Sequence, residues 1–407
     1  MLSRQSTNKS TASNREIPNH EELVDYQYAV AGHAGTMCDA DGELFIKPCT
    51  KSEVDFYESA HALHPAFADV MPLYIGTLAL NETTDEAAIH AQIPGLVENA
   101  DIPSPIRREI QSHLHLEERA ALVDAASGKD GADENIKWVP NKTRKITTDR
   151  AVVLENASFG YNKPNIMDAK LGLRLWADDA PLEKKKRFDR IAAETTHKHF
   201  GFRVAGMRVY KGSTDDAELD KEGFRIYDKD WGRFSVDDGN LVNSLKKYIF
   251  NEAAGIDEDL GKVIAGAFAN DLRAIQEVLE QEESRMYSAS LLFVFEGDGE
   301  ALRAAIAEAK DRASTSVNGR GLTNAAVANL RVDSGIGMDD EPLKKAAETV
   351  DPDEYDEELD DEPSYPRIYS VKLIDFAHAA WKPGQGPDEN VLMGVRSLVR
   401  LFDEMSQ

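Results

Sequence analysis

Two cysteines, Cys38 and Cys49, are all that 407 residues contain. Two thiols build neither a disulfide framework nor a zinc site, so a reducing, intracellular setting is expected. Basic residues are scarce beside acidic ones: 47 Lys and Arg stand against 73 Asp and Glu, for a formal net charge of −26. Bulk charge of that sign argues against direct nucleic-acid binding or broad attachment to anionic membranes, while leaving room for a local basic pocket. No apolar run reaches the roughly 18 residues expected of a membrane span. The opening MLSRQSTNKSTASNREIPN has no apolar core, so no secretory leader is expected. Internal repeats are absent as well.

What is present is an ordinary globular share of apolar residues, 42%, enough to bury a sizeable core. Residues 1–20 are polar and read as a disordered tail, with order beginning near Tyr26. GELFIKP (42–48) and MPLYIGTLAL (71–80) read as strands around a helix through SEVDFYESAHAL, with Ser52 as its N-cap. Residues 82–147 read as a partly helical insertion. RAVVLENA (150–157), GFRVAGMRVYK (201–211), MYSASLLFVFEGD (286–298) and YSVKLIDFAHA (369–379) read as strands, and PNIMDAKLGLRLW (164–176) as a strand-turn unit. Helices are expected over 181–199, 259–283 and the last residues, ENVLMGVRSLVRLFDEM. DPDEYDEELDDE (351–362) has nine acids in twelve positions, and reads as part of a solvated, disordered loop spanning about 312–364. The class is α+β.

Three features point to phosphoryl transfer from a nucleotide. Lys47 ends the short strand LFIKP and precedes a helix carrying acids, where an ammonium can hold phosphates while a carboxylate fixes its rotamer. PNIMDAKLG places Asp168 and Lys170 two apart, on one side of an extended chain. VKLIDFAHA ends an apolar strand on Asp375, the position of a magnesium ligand facing phosphates. Each alone has a bland alternative: a strand-end lysine, a strand-end ion pair, a buried turn. The protein-kinase signature set is incomplete, with no GxGxxG loop and no HRD loop. Asp168 and Asp375 lie 207 positions apart, so a substrate-binding region must sit between them.

PxxxDxKxG, present as Pro164, Asp168, Lys170 and Gly172, resembles the signature of the inositol polyphosphate kinases. GFRVAGMRVY, ASLLFVFEG, KLIDFAHA and GPDENVLMGVRSL resemble that family's further blocks, in order, across roughly residues 25–80, 150–300 and 365–405. The chain resembles the fungal multikinase branch in its length, its acidic stretch before IDF and its EKKKRFDRIAAETT helix. The resemblance implies a two-lobed ATP-grasp/protein-kinase-like fold with an inserted inositol-binding segment. The N-lobe would span 21–155 and the C-lobe 156–407, with the inositol-binding segment at 177–200.

By the same resemblance, ATP and Mg2+ are required. Lys47 meets ATP phosphates, with Glu53 as its partner acid and Glu58 as the other candidate. Backbone groups of Glu155 and Ala157 meet adenine, and Asp375 holds the metal. Ser290 matches the second serine of an SSLL motif whose first position is Ala289 here, so that hydroxyl is lost or supplied by Ser288. Lys170 serves the γ-phosphate and the attacking hydroxyl. Asp168 either accepts the hydroxyl proton or fixes the ribose. An inositol phosphate needs a basic pocket, and LEKKKRFDR supplies one: Lys184, Arg187 and Arg190 share a helix face. A solvated basic face is the plain alternative for that stripe. His378 is a further candidate for a substrate phosphate, or a packed histidine; Lys229 and Arg233 are weaker ones. Partners in transcription-factor complexes, a nuclear and cytoplasmic location and a monomeric state complete the expectation. An inositol trisphosphate 3-kinase or hexakisphosphate kinase of the same family is the alternative enzyme, and a non-catalytic scaffold the alternative from another class.

Overall fold

Strand-forming runs pair into two five-stranded antiparallel sheets in the computed structural model, which describes residues 24–25, 35–39, 42–79, 148, 150–316 and 367–407. The expected tail at 1–20, the start of order near Tyr26, the insertion at 82–147 and the acidic stretch at 351–362 fall outside the described residues. The first sheet runs β1 (Val24–Asp25), β2 (Met37–Cys38), β3 (Leu44–Pro48), β5 (Arg150–Glu155), β4 (Tyr74–Ala79). The second runs β11 (Tyr369–Ile374), β10 (Ser290–Glu296), β6 (Pro164–Leu171), β7 (Phe202–Tyr210), β8 (Phe224–Tyr227). β6 is therefore the central strand of the larger lobe, and Asp168 and Lys170 ride on it.

Helix α1 (Lys51–Leu63) follows β3 directly and α2 (Pro65–Asp69) follows α1. Thr50, not Ser52, caps α1: its hydroxyl accepts from the Glu53 N–H at 3.4 Å, which makes Ser52 an in-helix residue. The Ser52 hydroxyl instead donates to the Ala377 carbonyl at 3.1 Å, across the lobes. The helix expected over 181–199 divides into α3 (Leu182–Glu194) and the one-turn α4 (His197–Phe200). Thr195 between them is extended, as suits a β-branched residue that stiffens the chain against the helix. The helices α5 (Lys229–Phe234) and α6 (Leu241–Ile249) precede the long α7 (Glu258–Gln281). α8 (Gly299–Ser316) runs past the expected start of the loop near 312. The terminal α9 (Glu389–Ser406) packs along α7 and against β6 and β7.

Two expected strands prove to be two pieces each. The 286–298 run splits into β9 (Ser284–Met286) and β10, because Ser288 takes φ +61°. The 369–379 run splits into β11 and β12 (Ala379–Trp381), because Asp375 takes φ +70°. β9 and β12 then pair with each other in a small separate ribbon. A left-handed residue cannot continue a ladder, and Asp is among the few side chains that adopt that conformation readily. One apolar cluster spans both lobes: Phe56, Tyr57 and Phe67 from α1 and α2 share it with Phe268, Phe293 and Phe376. Phe376 stacks on Phe56 at 5.0 Å. Among the described residues, no helix is long and apolar enough to cross a membrane.

Candidate active site

The two left-handed breaks are where the site is built. Asp375 follows β11 at the turn, and Lys47 is the next-to-last residue of β3, across from it. Lys47 Nζ lies 2.7 Å from Glu53 Oε1 and 2.8 Å from Asp375 Oδ1. Burial alone would pull the Lys47 ammonium down; the Asp375 and Glu53 carboxylates outweigh it and hold it well above the ordinary lysine value. Glu53 Oε1 also accepts the Phe376 N–H at 3.2 Å. One carboxylate thus fixes both the lysine and the turn behind Asp375. Glu58 is elsewhere, accepting from the Tyr74 hydroxyl at 3.3 Å.

Lys170 approaches Asp375 from the other side, 3.6 Å from Oδ2. It donates to the Ser288 carbonyl at 2.8 Å and to Ser290 Oγ at 3.1 Å. Ser290 is opposite Lys170 in the β6–β10 register, so its hydroxyl sits between Lys170 and Asp168, whose carboxylate it also meets. Ser288 contributes its carbonyl; its hydroxyl is turned to the Leu175 carbonyl at 2.7 Å. Asp168 is 5% exposed, and its Oδ1 has no hydrogen-bond partner. Burial pushes its carboxyl above the ordinary value; Lys170 opposes that, and the Asp375 charge adds to it. A buried, unpartnered carboxylate oxygen beside Lys170, Arg203 and a second carboxylate has the character of a place awaiting a ligand.

The donor set also suits a hard divalent cation. Mg2+ or Mn2+ takes one or two carboxylates and completes its shell with water and phosphate oxygens. Asp375, with the unpartnered Asp168 oxygen nearby, supplies that number. Among the described residues no group of three or more His, Cys, Asp or Glu could hold an ion by itself.

At the lobe boundary, the Glu155 N–H donates to the Leu73 carbonyl at 3.0 Å. The Leu73 N–H does not return the bond to the Glu155 carbonyl but goes to Glu155 Oε1 at 3.1 Å. Of its two backbone polar groups, Glu155 therefore commits the N–H to the sheet and turns its own side chain onto the donor that would have claimed the carbonyl. Ala157, two residues on, is buried in a small cluster with Ile166 and Val294.

The basic helix reaches the site through one residue. Lys184 Nζ stands 3.4 Å from His378 Nε2, three residues after Asp375. Its half-buried ammonium is shifted down by burial, against the pull of Asp179. Lys184 and Arg187 both lie near the Phe188 ring, at 5.8 and 6.0 Å, and so share a side; Arg190, nearly one turn on, is exposed. Lys185 goes elsewhere, to the Asp178 carbonyl at 2.7 Å.

Three contributors have no prior signal in the residue pattern alone. Arg203 on β7 lies opposite Lys170; burial lowers its pKa, Asp168 opposes that, and Arg233 adds to it. Buried His197 is pushed down to about 3 by burial and by the Arg203 and Lys170 charges, so it is neutral. Asn390, at the start of α9, accepts from the Leu173 and Arg174 N–H groups, each at 2.8 Å, and donates to the Arg174 carbonyl at 3.1 Å. Asn390 also explains the glycine of PxxxDxKxG. Gly172 has φ +94°, and a Cβ there would meet Asn390 Nδ2 at 2.5 Å. The motif's last position is a turn pressed against a helix start.

Comparison with known proteins gives the family and the fold. A family model described as inositol polyphosphate kinase matches residues 151–403. The inositol polyphosphate multikinase of Saccharomyces cerevisiae is 29% identical over 398 residues, covering 92% of this chain and 96% of that protein. The inositol polyphosphate multikinase of Schizosaccharomyces pombe is 26% identical over 271 residues, 67% of this chain and 78% of that one. A crystal structure of the S. cerevisiae inositol phosphate multikinase in complex with ADP and Mn2+ superimposes with a TM-score of 0.51 at 24% identity, over 90% of this chain and all of that one. That likeness establishes the two-lobed α+β kinase-like fold.

Proposed function

The chain belongs to the inositol polyphosphate kinase family, and on that premise we propose that it is an ATP- and Mg2+-dependent multikinase converting inositol tris- and tetrakisphosphates, including the 1,4,5-trisphosphate, towards the pentakisphosphate. The observation that carries this reading is the convergence of Lys47, Lys170 and Asp168 on Asp375, with the basic helix entering beside them through Lys184 and His378. The similarity of both fungal multikinases supports the choice of branch.

ATP would lie between the lobes, its adenine on the Glu155 carbonyl and the Ala157 backbone. An ammonium has three donors; two of those on Lys47 hold Glu53 and Asp375, and the third serves a phosphate. Asp375 would hold the metal, which supplies charge neutralisation at the transferring phosphates. Lys170, fixed by Ser288 and Ser290, would serve the γ-phosphate and the attacking hydroxyl, its charge counting for most as negative charge shifts there. Asp168 either takes the hydroxyl proton or holds the ribose. Lys184, Arg187, Arg190 and His378 bind substrate phosphates. Phosphoryl transfer asks mainly for this positioning and neutralisation.

Incubation with radiolabelled ATP, Mg2+ and a panel of inositol phosphates tests the assignment. Label is expected on tris- and tetrakisphosphates; label only on the hexakisphosphate would move the chain to a different branch. We further propose nuclear and cytoplasmic location, a monomeric state and association with transcription-factor complexes through 351–362. A pull-down with and without those residues, beside the activity assay, checks the last: binding lost with activity kept is the expected result.

A further inference from the structure

The substrate helix α3 is thinly held. Only Ile191 and Ala192 of its thirteen residues are buried, and both lie in its last turn. The first two turns, which carry Lys184 and Arg187, have little apolar surface to fix them. Yet a pocket that selects among inositol phosphates needs its cations placed closely, since hydroxyls on one ring differ only in where the neighbouring phosphates fall.

Trp176 supplies the missing hold. Its Nε1 donates to Asp189 Oδ1 at 2.6 Å, in the middle of α3. The Lys185 ammonium lies 4.8 Å from the centre of its ring. On the body side, the Arg174 guanidinium lies 3.9 Å from the Trp176 ring and 4.6 Å from that of Tyr287, and Arg174 Nε donates to the Trp176 carbonyl at 3.0 Å. Arg174 in turn is fixed by Asn390 at the start of α9. A continuous line of contacts thus runs from α9 through Arg174 and Trp176 into α3. It touches the Asp375 and Lys170 cluster at two places: Ser288, whose carbonyl holds Lys170, donates its hydroxyl to the Leu175 carbonyl, and Lys184 faces His378.

We propose that Trp176 is a positioning residue for substrate selection: by tying α3 to the rigid Asn390 turn, it sets where Lys184 and Arg187 meet the inositol phosphate, and so which hydroxyl is presented. The proposal rests on the assignment of α3 as the substrate helix. Indole suits the task because one flat side chain offers a ring face to cations and an N–H to a carboxylate.

Trp176→Ala should raise KM for the inositol phosphate about tenfold, in line with the cost of misplacing a reactant, while KM for ATP changes less than about twofold. Product positions should also become mixed. Trp176→Phe, which keeps the ring and loses the N–H, should recover most of both. Arg187→Ala serves as the control for the underlying assignment. If Arg187→Ala raises the inositol phosphate KM and Trp176→Ala does not, the positioning role is wrong and the substrate helix stands. If neither variant moves it, the substrate helix itself is misassigned and the proposal falls with it. Equal rises in both KM values for Trp176→Ala, unrelieved in Trp176→Phe, would mark a merely structural residue.

Discussion

At the scale of single residues, Asp375 carries most weight, because it meets Lys47 with one oxygen and Lys170 with the other. Asp375→Asn keeps the size and shape of the side chain but halves its capacity as a hard acceptor. We expect kcat to fall at least about 100-fold, with the circular dichroism spectrum and melting curve close to wild type. Turnover at the wild-type rate would remove Asp375 from the metal. Asp168 gives a second prediction. Burial raises its carboxyl above the ordinary Asp value, so the charged form is the disfavoured one in the folded chain. Its contribution to stability therefore has the reverse of the usual sign: there is no penalty below the unfolded value, and the penalty grows as pH rises towards the folded value. Carboxyl carbon NMR should show one resonance, absent from Asp168→Asn, titrating above about 3.9. A titration at or below that value would contradict the buried, unpartnered oxygen. These residues were legible because phosphoryl transfer demands charges of given sign at strand ends. The turn that places Asp375 was not, since an apolar run with an Asp inside it looks the same whether the strand continues or breaks.

At the scale of elements, the helices and strands themselves followed from apolar periodicity, and the errors gathered where tertiary contact overrides it. Ser52 looks like a cap, and Thr50 two residues earlier is the cap because its hydroxyl reaches the Glu53 N–H. The 181–199 helix breaks at Thr195 so that the chain can turn through Gly201 into β7. Gly201 has φ +68°, and a Cβ there would meet Gly394 N at 2.7 Å and the Met393 backbone carbon at 2.9 Å. No local signal announces that a helix 190 residues downstream presses on this turn. Gly201→Ala should destabilise the fold by about 2–4 kcal/mol, combining left-handed strain with overpacking, as read by urea denaturation. A change under about 0.5 kcal/mol, the size of an ordinary surface substitution, would mean that α9 does not sit this close to the turn. Asn390 escaped notice for the same reason: its partners, Leu173 and Arg174, are more than 200 positions away.

At the scale of the whole molecule, an acidic chain binds a polyanion. With a net charge of −26, long-range repulsion opposes approach, and screening confines it to about 8 Å at physiological salt. On the proposed assignment, Lys184, Arg187 and Lys170 dominate within that distance. Added salt weakens these short-range attractions, so KM for the inositol phosphate should rise with ionic strength while KM for ATP rises less. A KM for inositol phosphate that is flat in salt would remove the basic helix from recognition. The two lobes also share one apolar core, and the Leu373 N–H donates to the Val70 carbonyl at 2.8 Å. α1 and α2 are thus fixed to the larger lobe, which keeps Glu53 beside Asp375 before any ligand binds. On the proposed function, this preformed site moves phosphate from ATP to more than one hydroxyl of an inositol phosphate. Phosphorus NMR of the products from the 1,4,5-trisphosphate, ATP and Mg2+ tests it most directly: successive tetrakis- and pentakisphosphate signals are predicted, and a reaction that stops after one transfer, or yields only inorganic phosphate, would contradict it.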